Sequence, residues 1–182
     1  MPSDAPGRDE LSQYVGRDEL SQYVKDIRAL LVRGARDEAR RDGSRTIEAE
    51  HVLLALAATR TTSAARMLTD AGLSEDAIRA ALGREWEHSL AVAGIAVRSG
   101  SLPMATPDHG RDPHMGESTK LVLRRAMDAP PKIGSGRIGP TRILVGLLDT
   151  DRGRVARALQ VAGVDRTALR AKAAAALAQG VH

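Results

Sequence analysis

Hydrophobic residues in this chain recur at helical spacing, and the polar residues between them mark where helices begin and end. From Lys25 to Arg41, Ile27, Leu30, Leu31, Gly34, Ala35 and Glu38 trace one face of a helix. Gly43 offers the positive φ that chains favour just past a last helical turn. Ile47 follows, and a second helix over 48–58 opens with Glu48 and Glu50 near its positively polarised end. Val52, Leu53, Leu54 and Leu56 make that helix apolar on so many sides that it is expected to be buried. A polar turn with Thr61, Thr62 and Ser63 as candidate caps precedes a short third helix carrying Ala64, Ala65, Met67 and Leu68. That helix ends at Gly72. Ser74 then caps a fourth, which holds Ile78 and Leu82 and is expected to run on past a weak point at Gly83.

The same design returns 91 positions later without gaps. Ile138, Leu144 and Leu147 stand where Ile47, Leu53 and Leu56 stood, and Leu30/Leu121, Ala65/Ala156, Leu68/Leu159 and Gly72/Gly163 match as well. The matched positions are mostly core and turn residues. The pattern therefore predicts an all-α fold of two tandem pseudo-symmetric four-helix repeats that bury a shared face. The first repeat spans 25–97 and the second 117–182. Residues 98–116, rich in Gly, Pro, Ser and His, read as an exposed linker. Residues 1–24 are expected to form an N-terminal helical extension in which GRDELSQYV occurs twice, at 7–15 and 16–24. A nine-residue shift turns a helical side chain by about 900°, onto the opposite face, so only one copy can serve the fold.

Composition agrees with helices. Alanine, leucine and arginine dominate, while β-branched and aromatic residues are sparse. Cysteine is absent, which excludes disulfides, a thiolate nucleophile and a thiolate zinc site. No apolar run approaches the roughly 20 residues of a membrane span, and the first residues lack the order of a signal peptide, so a cytoplasmic location is expected. The net charge of +4 and pI near 9.9 raise nucleic acid as a partner. The arginines, however, are interleaved with Asp and Glu, and few aromatics are available to stack on bases. A nucleic-acid-associated regulator and a purely oligomerising module remain the alternatives to a protein-binding role.

Candidate chemistry is thin. His109 and His114 with Asp108 and Asp112 are the nearest approach to a metal site, but such closely spaced linker residues do not make one, and no metal or cofactor is expected. No acid–base pair or nucleophile is readable, so no catalysis is expected. Trp86, the single tryptophan, is expected to pack in the crease between the repeats.

Glu38-Ala39, Gly43, Ile47, Glu50-His51 and Leu53-Leu54, continued by Met67-Leu68 and Ala71-Gly72-Leu73, carry a resemblance to the Clp N-terminal (Clp repeat) domain. The second copy keeps Ile138-Gly139, Gly146-Leu147-Leu148 and Ala162-Gly163-Val164. That domain precedes the ATPase modules of bacterial ClpC-type and ClpA-type unfoldases. This chain has no G-x-x-x-x-G-K-[ST] phosphate loop, and so resembles a free-standing Clp N-domain protein. The resemblance implies binding of proteins or peptides, including arginine-phosphorylated ones, and links to Clp unfoldase or protease components. It gives the guanidinium-holding role to Glu50, with His51 beside it. In the second copy Thr141 replaces the glutamate and Arg142 the histidine, and Lys25 and Gly116 stand where the family opens its first helix with threonine. Phosphoarginine binding is therefore expected to be weak and confined to one site, or absent.

Overall fold

The fold is that of a computed structural model, described for residues 33–95, 105–130 and 138–180. The duplicated N-terminal nonapeptides, Lys25 and the first part of the linker lie outside these residues. Eight helices occur among the described residues: α1 (Ala35–Arg41), α2 (Ala49–Ala58), α3 (Ser63–Asp70), α4 (Glu75–Val92), α5 (Glu117–Asp128), α6 (Pro140–Leu148), α7 (Arg154–Val161) and α8 (Arg166–Ala178). The all-α expectation holds. The starts of α6, α7 and α8 each fall 91 residues after those of α2, α3 and α4.

Local chemistry explains these limits. Thr62 Oγ1 accepts the Ala65 N–H at 3.1 Å to cap α3, and Ser74 Oγ accepts the Ala77 N–H at 3.2 Å to cap α4. Asp165, the counterpart of Ser74, does the same for α8 through Ala168 at 2.9 Å. Such caps contribute about 1 kcal/mol each. Pro140 opens α6, where its missing N–H costs nothing. As expected, α4 continues through Gly83.

The repeats share one core. In α2 every residue from Ala49 to Ala57 is buried, and in α6 every residue from Pro140 to Leu148. These two helices pack on each other at the centre. Around them α4 lies against α7, and α8 against α3, so each repeat's outer helix covers the other repeat. Leu53, Leu54, Leu56, Leu68 and Ile78 thereby join Ile143, Leu144, Leu147, Leu159 and Leu177 in a continuous apolar cluster.

Two features go beyond helices. Strand β1 (Thr46–Ile47) pairs in parallel with β2 (His114–Met115), one from each repeat's side of the boundary. Gly116 N–H donates to Ile47 O at 3.0 Å, and the Thr119 hydroxyl reaches the same carbonyl at 2.7 Å. The late part of the linker is also docked rather than loose. Asp108 N–H donates to Arg40 O at 2.8 Å, Arg40 Nε to Arg111 O at 2.7 Å, and Arg111 Nη1 to Gly43 O at 3.3 Å. Its side chains are mostly exposed, yet its backbone is hydrogen-bonded to the end of α1. Gly43 makes this approach feasible: its φ is +62°, and a Cβ there would stand 2.5 Å from Thr106 O.

Candidate binding surface at the seam between the repeats

The buried stripe of α4 runs through Ile78, Ala81 and Leu82 and then continues into a charge, Glu85, which is 1% exposed. A carboxylate at that depth is costly unless opposite charges and hydrogen bonds meet it. The second repeat supplies them. Arg157 Nε donates to Glu85 Oε1 at 2.6 Å, Ser89 Oγ donates to the same oxygen at 2.7 Å, and Arg154 Nε stands 3.5 Å from Oε2. Burial opposes ionisation of Glu85, but the bonds from Ser89 and Arg157 and the charges of Arg157 and Arg154 outweigh it and hold the carboxyl below its usual range.

Arg154 has three neighbours at once. Its Nη1 donates to Glu50 Oε1 at 3.0 Å, its Nε faces Glu85, and its guanidinium lies 5.8 Å from the centre of the Trp86 ring. Beside this cluster, between α4 and α7, a depression of about 300 Å³ is lined by Glu85, His88, Arg157, Gln160 and Val161. Trp86 lies at the junction of the repeats, as expected, but it is not buried there. The residue is 47% exposed.

A second polar contact closes the far side of α2. Glu48 accepts from the hydroxyl of Ser118 and from its N–H at 3.3 Å, while Ser118 Oγ accepts the Ala49 N–H at 2.8 Å. The carboxylate of Glu48 fills the space above Gly116, where a Cβ would come within 2.1 Å of it. Partial burial opposes ionisation of Glu48, but bonds from Ser118 and Thr46 prevail and lower its pKa. His51 Nδ1 accepts the Glu48 N–H at 2.9 Å, and its Nε2 lies 3.2 Å from Asp42 Oδ2. Those two bonds select the tautomer protonated at Nε2. The hydrogen bond from His51 lowers the pKa of Asp42 against its partial burial.

A family model, the Clp repeat (R) N-terminal domain, matches residues 29–160, which include both buried helices and Glu50, Glu85, Trp86, Arg154 and Arg157 at the seam. The chain belongs to this family. Membership points to association with Clp chaperone and protease systems, through a class of non-catalytic domains that bind protein partners. No curated protein matches the chain in sequence.

In this Clp repeat protein the motif residues are placed as follows. Glu50 is 9% exposed and is held by Arg154, while His51, 2% exposed, is held between Glu48 and Asp42. In α6, Thr141 is fully buried with its hydroxyl unbonded, and Arg142 donates through Nη1 to Ala129 O at 2.6 Å and Ala126 O at 3.3 Å. Arg142 thus closes the last turn of α5, whose carbonyls have no helical partner. None of the four lines the depression at the seam. The linker acids are engaged elsewhere, Asp108 with Arg111 at 2.9 Å and Asp112 with Arg36 at 3.3 Å. No group of three or more His, Cys, Asp or Glu among the described residues could hold a metal. No helix among them is long and apolar enough to cross a membrane.

Glu85, Arg154 and Arg157 had escaped the sequence reading. One signal was present: Glu85 falls seven residues after Ile78 and three after Leu82, on the buried stripe of α4, where an acid needs a partner.

Proposed function

We propose that the protein is a non-enzymatic binding module of a cytoplasmic Clp chaperone–protease system, and that it takes protein or peptide ligands at the seam between its repeats. The supporting observation is the half-exposed Trp86, whose chain neighbour Glu85 lines a polar depression to which both repeats contribute. Aromatic residues with one face in water are favoured anchors for protein partners.

The surroundings of the motif glutamate favour an unphosphorylated ligand. Glu50 already holds the Arg154 guanidinium, and the space above Gly116, where the resemblance puts a threonine, is filled by the Glu48 carboxylate. An incoming phosphoarginine would meet an occupied carboxylate in the first copy and a like charge in the second. The basic composition gives little support to nucleic acid, because Arg40, Arg79, Arg154, Arg157 and Arg170 are all paired with carboxylates inside the fold.

The test is titration of the protein with a chemically denatured protein and, separately, with phosphoarginine, followed by calorimetry. Binding of the denatured protein that Trp86→Ala weakens at least tenfold, with no response to phosphoarginine, is the expected result. Binding that Trp86→Ala leaves untouched overturns the placement of the surface.

A further inference from the structure

The seam holds a guanidinium in an incomplete embrace. Glu85 is 1% exposed and its Oε2 accepts no hydrogen bond; Arg154 Nε, 3.5 Å away, makes none either. A buried carboxylate oxygen left without a donor is costly and calls for an explanation. The Arg154 side chain is 35% exposed, so it can swing into water, whereas Glu85 cannot leave the core. Should Arg154 swing out, Glu50 and Glu85 would confront the single guanidinium of Arg157, and the local balance would favour a cation. The half-exposed Trp86 offers that cation a π face, and the depression of about 300 Å³ that Glu85 lines has room for its stem beside His88, Gln160 and Val161.

From this we infer that Glu85 and Trp86 form a receptor for the unmodified arginine side chain of a bound peptide, with Arg154 as the resident occupant that the ligand displaces. The inference rests on the seam being the ligand surface and adds the chemical class that it selects. Arginine fits better than lysine because a planar fork can serve Glu50 and Glu85 together while stacking on the ring.

The probe is a capped pentapeptide, four alanines around one arginine, compared with the same peptide carrying citrulline, which keeps the shape and loses the charge. Binding is read by Trp86 fluorescence and by calorimetry on the full chain. In Arg154→Ala, whose receptor is vacant, the arginine peptide is expected to bind about tenfold tighter than in the wild type, because displacement is no longer needed. The citrulline peptide is expected to bind at least about tenfold more weakly than the arginine peptide. Glu85→Gln is expected to lose the preference for arginine. Because Glu85 is buried and that variant could unfold, Trp86→Leu on the exposed ring provides a second check, with an expected loss of several-fold by calorimetry. Equal binding of the arginine and citrulline peptides, or no gain in Arg154→Ala, overturns the inference. If denatured protein still binds through Trp86 in that case, the binding-module reading stands and only the arginine receptor falls; if neither binds, both fall.

Discussion

Glu48 and Ser118 cap each other's helices across the boundary between the repeats. Ser118 Oγ accepts the first N–H of α2, at Ala49, while Glu48 accepts from Ser118 near the start of α5. Each helix therefore begins against a side chain that sits 69 or 70 positions away in the sequence. The reciprocity ties the orientation of α5 to that of α2, and the β1–β2 pair one step earlier fixes the same register.

Ser118→Ala removes one cap and one donor to a carboxylate at a single stroke. A cap contributes about 1 kcal/mol and a hydrogen bond to a charged group about 1.5–3 kcal/mol, so the loss is expected at about 2.5–4 kcal/mol. Chemical denaturation of the full chain measures it. A change below about 0.5 kcal/mol, the range of ordinary surface substitutions, would show that Ser118 carries no cap.

Most of the fold was legible because the repeat restates itself. Caps at Ser74 and Asp165, stops at Gly72 and Gly163, and the apolar runs of α2 and α6 are local signals that survive without tertiary information. The β1–β2 pair and the docked linker were not legible. Both join groups some 70 residues apart, the strands through backbone bonds and the linker largely through arginine side chains onto carbonyls, with no periodic pattern in the sequence to announce them. The site was legible only in part. Glu50 and His51 stand out through the resemblance, but their occupants, Arg154 and Asp42, come from other elements and follow from packing alone. Glu48 and Gly116 look like unrelated departures until the carboxylate is seen to fill the space that the glycine leaves.

Gly43 and Gly72 separate two reasons for glycine. Both have positive φ, +62° and +76°, so alanine strains the backbone at either place, by about 1 kcal/mol. Only at Gly43 would the new Cβ meet a neighbour, Thr106 O at 2.5 Å; at Gly72 nothing lies within 4 Å. Gly43→Ala is therefore expected to destabilise the protein clearly more than Gly72→Ala and to release the linker from Arg40. Thermal melting ranks the two, and limited proteolysis within 105–113 reports the release. Equal melting temperatures would refute the clash.

Arg142 stands where the first repeat has His51, and its role has moved with it. Its Nη1 serves Ala126 O and Ala129 O in a site that is 3% exposed. Arg142→Met keeps the stem and removes these donors, leaving buried carbonyls unpaired at about 1–3 kcal/mol. The expected loss lies in that range, without any change in arginine-peptide binding at the seam. Denaturation and peptide titration of the same sample separate the effects, and a stability equal to wild type would remove the capping role.

Acid weakens the fold through identifiable groups. Asp42, Glu48 and Glu85 all have folded pKa values below their ordinary ones, Asp42 chiefly through the bond from His51, the two glutamates because hydrogen bonds overcome burial. The unfolded chain therefore binds protons at these groups before the folded chain does. Their contribution is fully present above the ordinary carboxylate range, about pH 5, and is lost as pH falls through that range toward the lowered values. Glu85→Gln cannot ionise at this position. It is expected to melt below wild type at pH 7, because Arg157 and Arg154 lose their shared carboxylate, and the gap is expected to narrow steadily from pH 5 to pH 3. Melting curves of both proteins across that range decide the matter: a gap that stays constant with pH would mean that ionised Glu85 does not stabilise the seam.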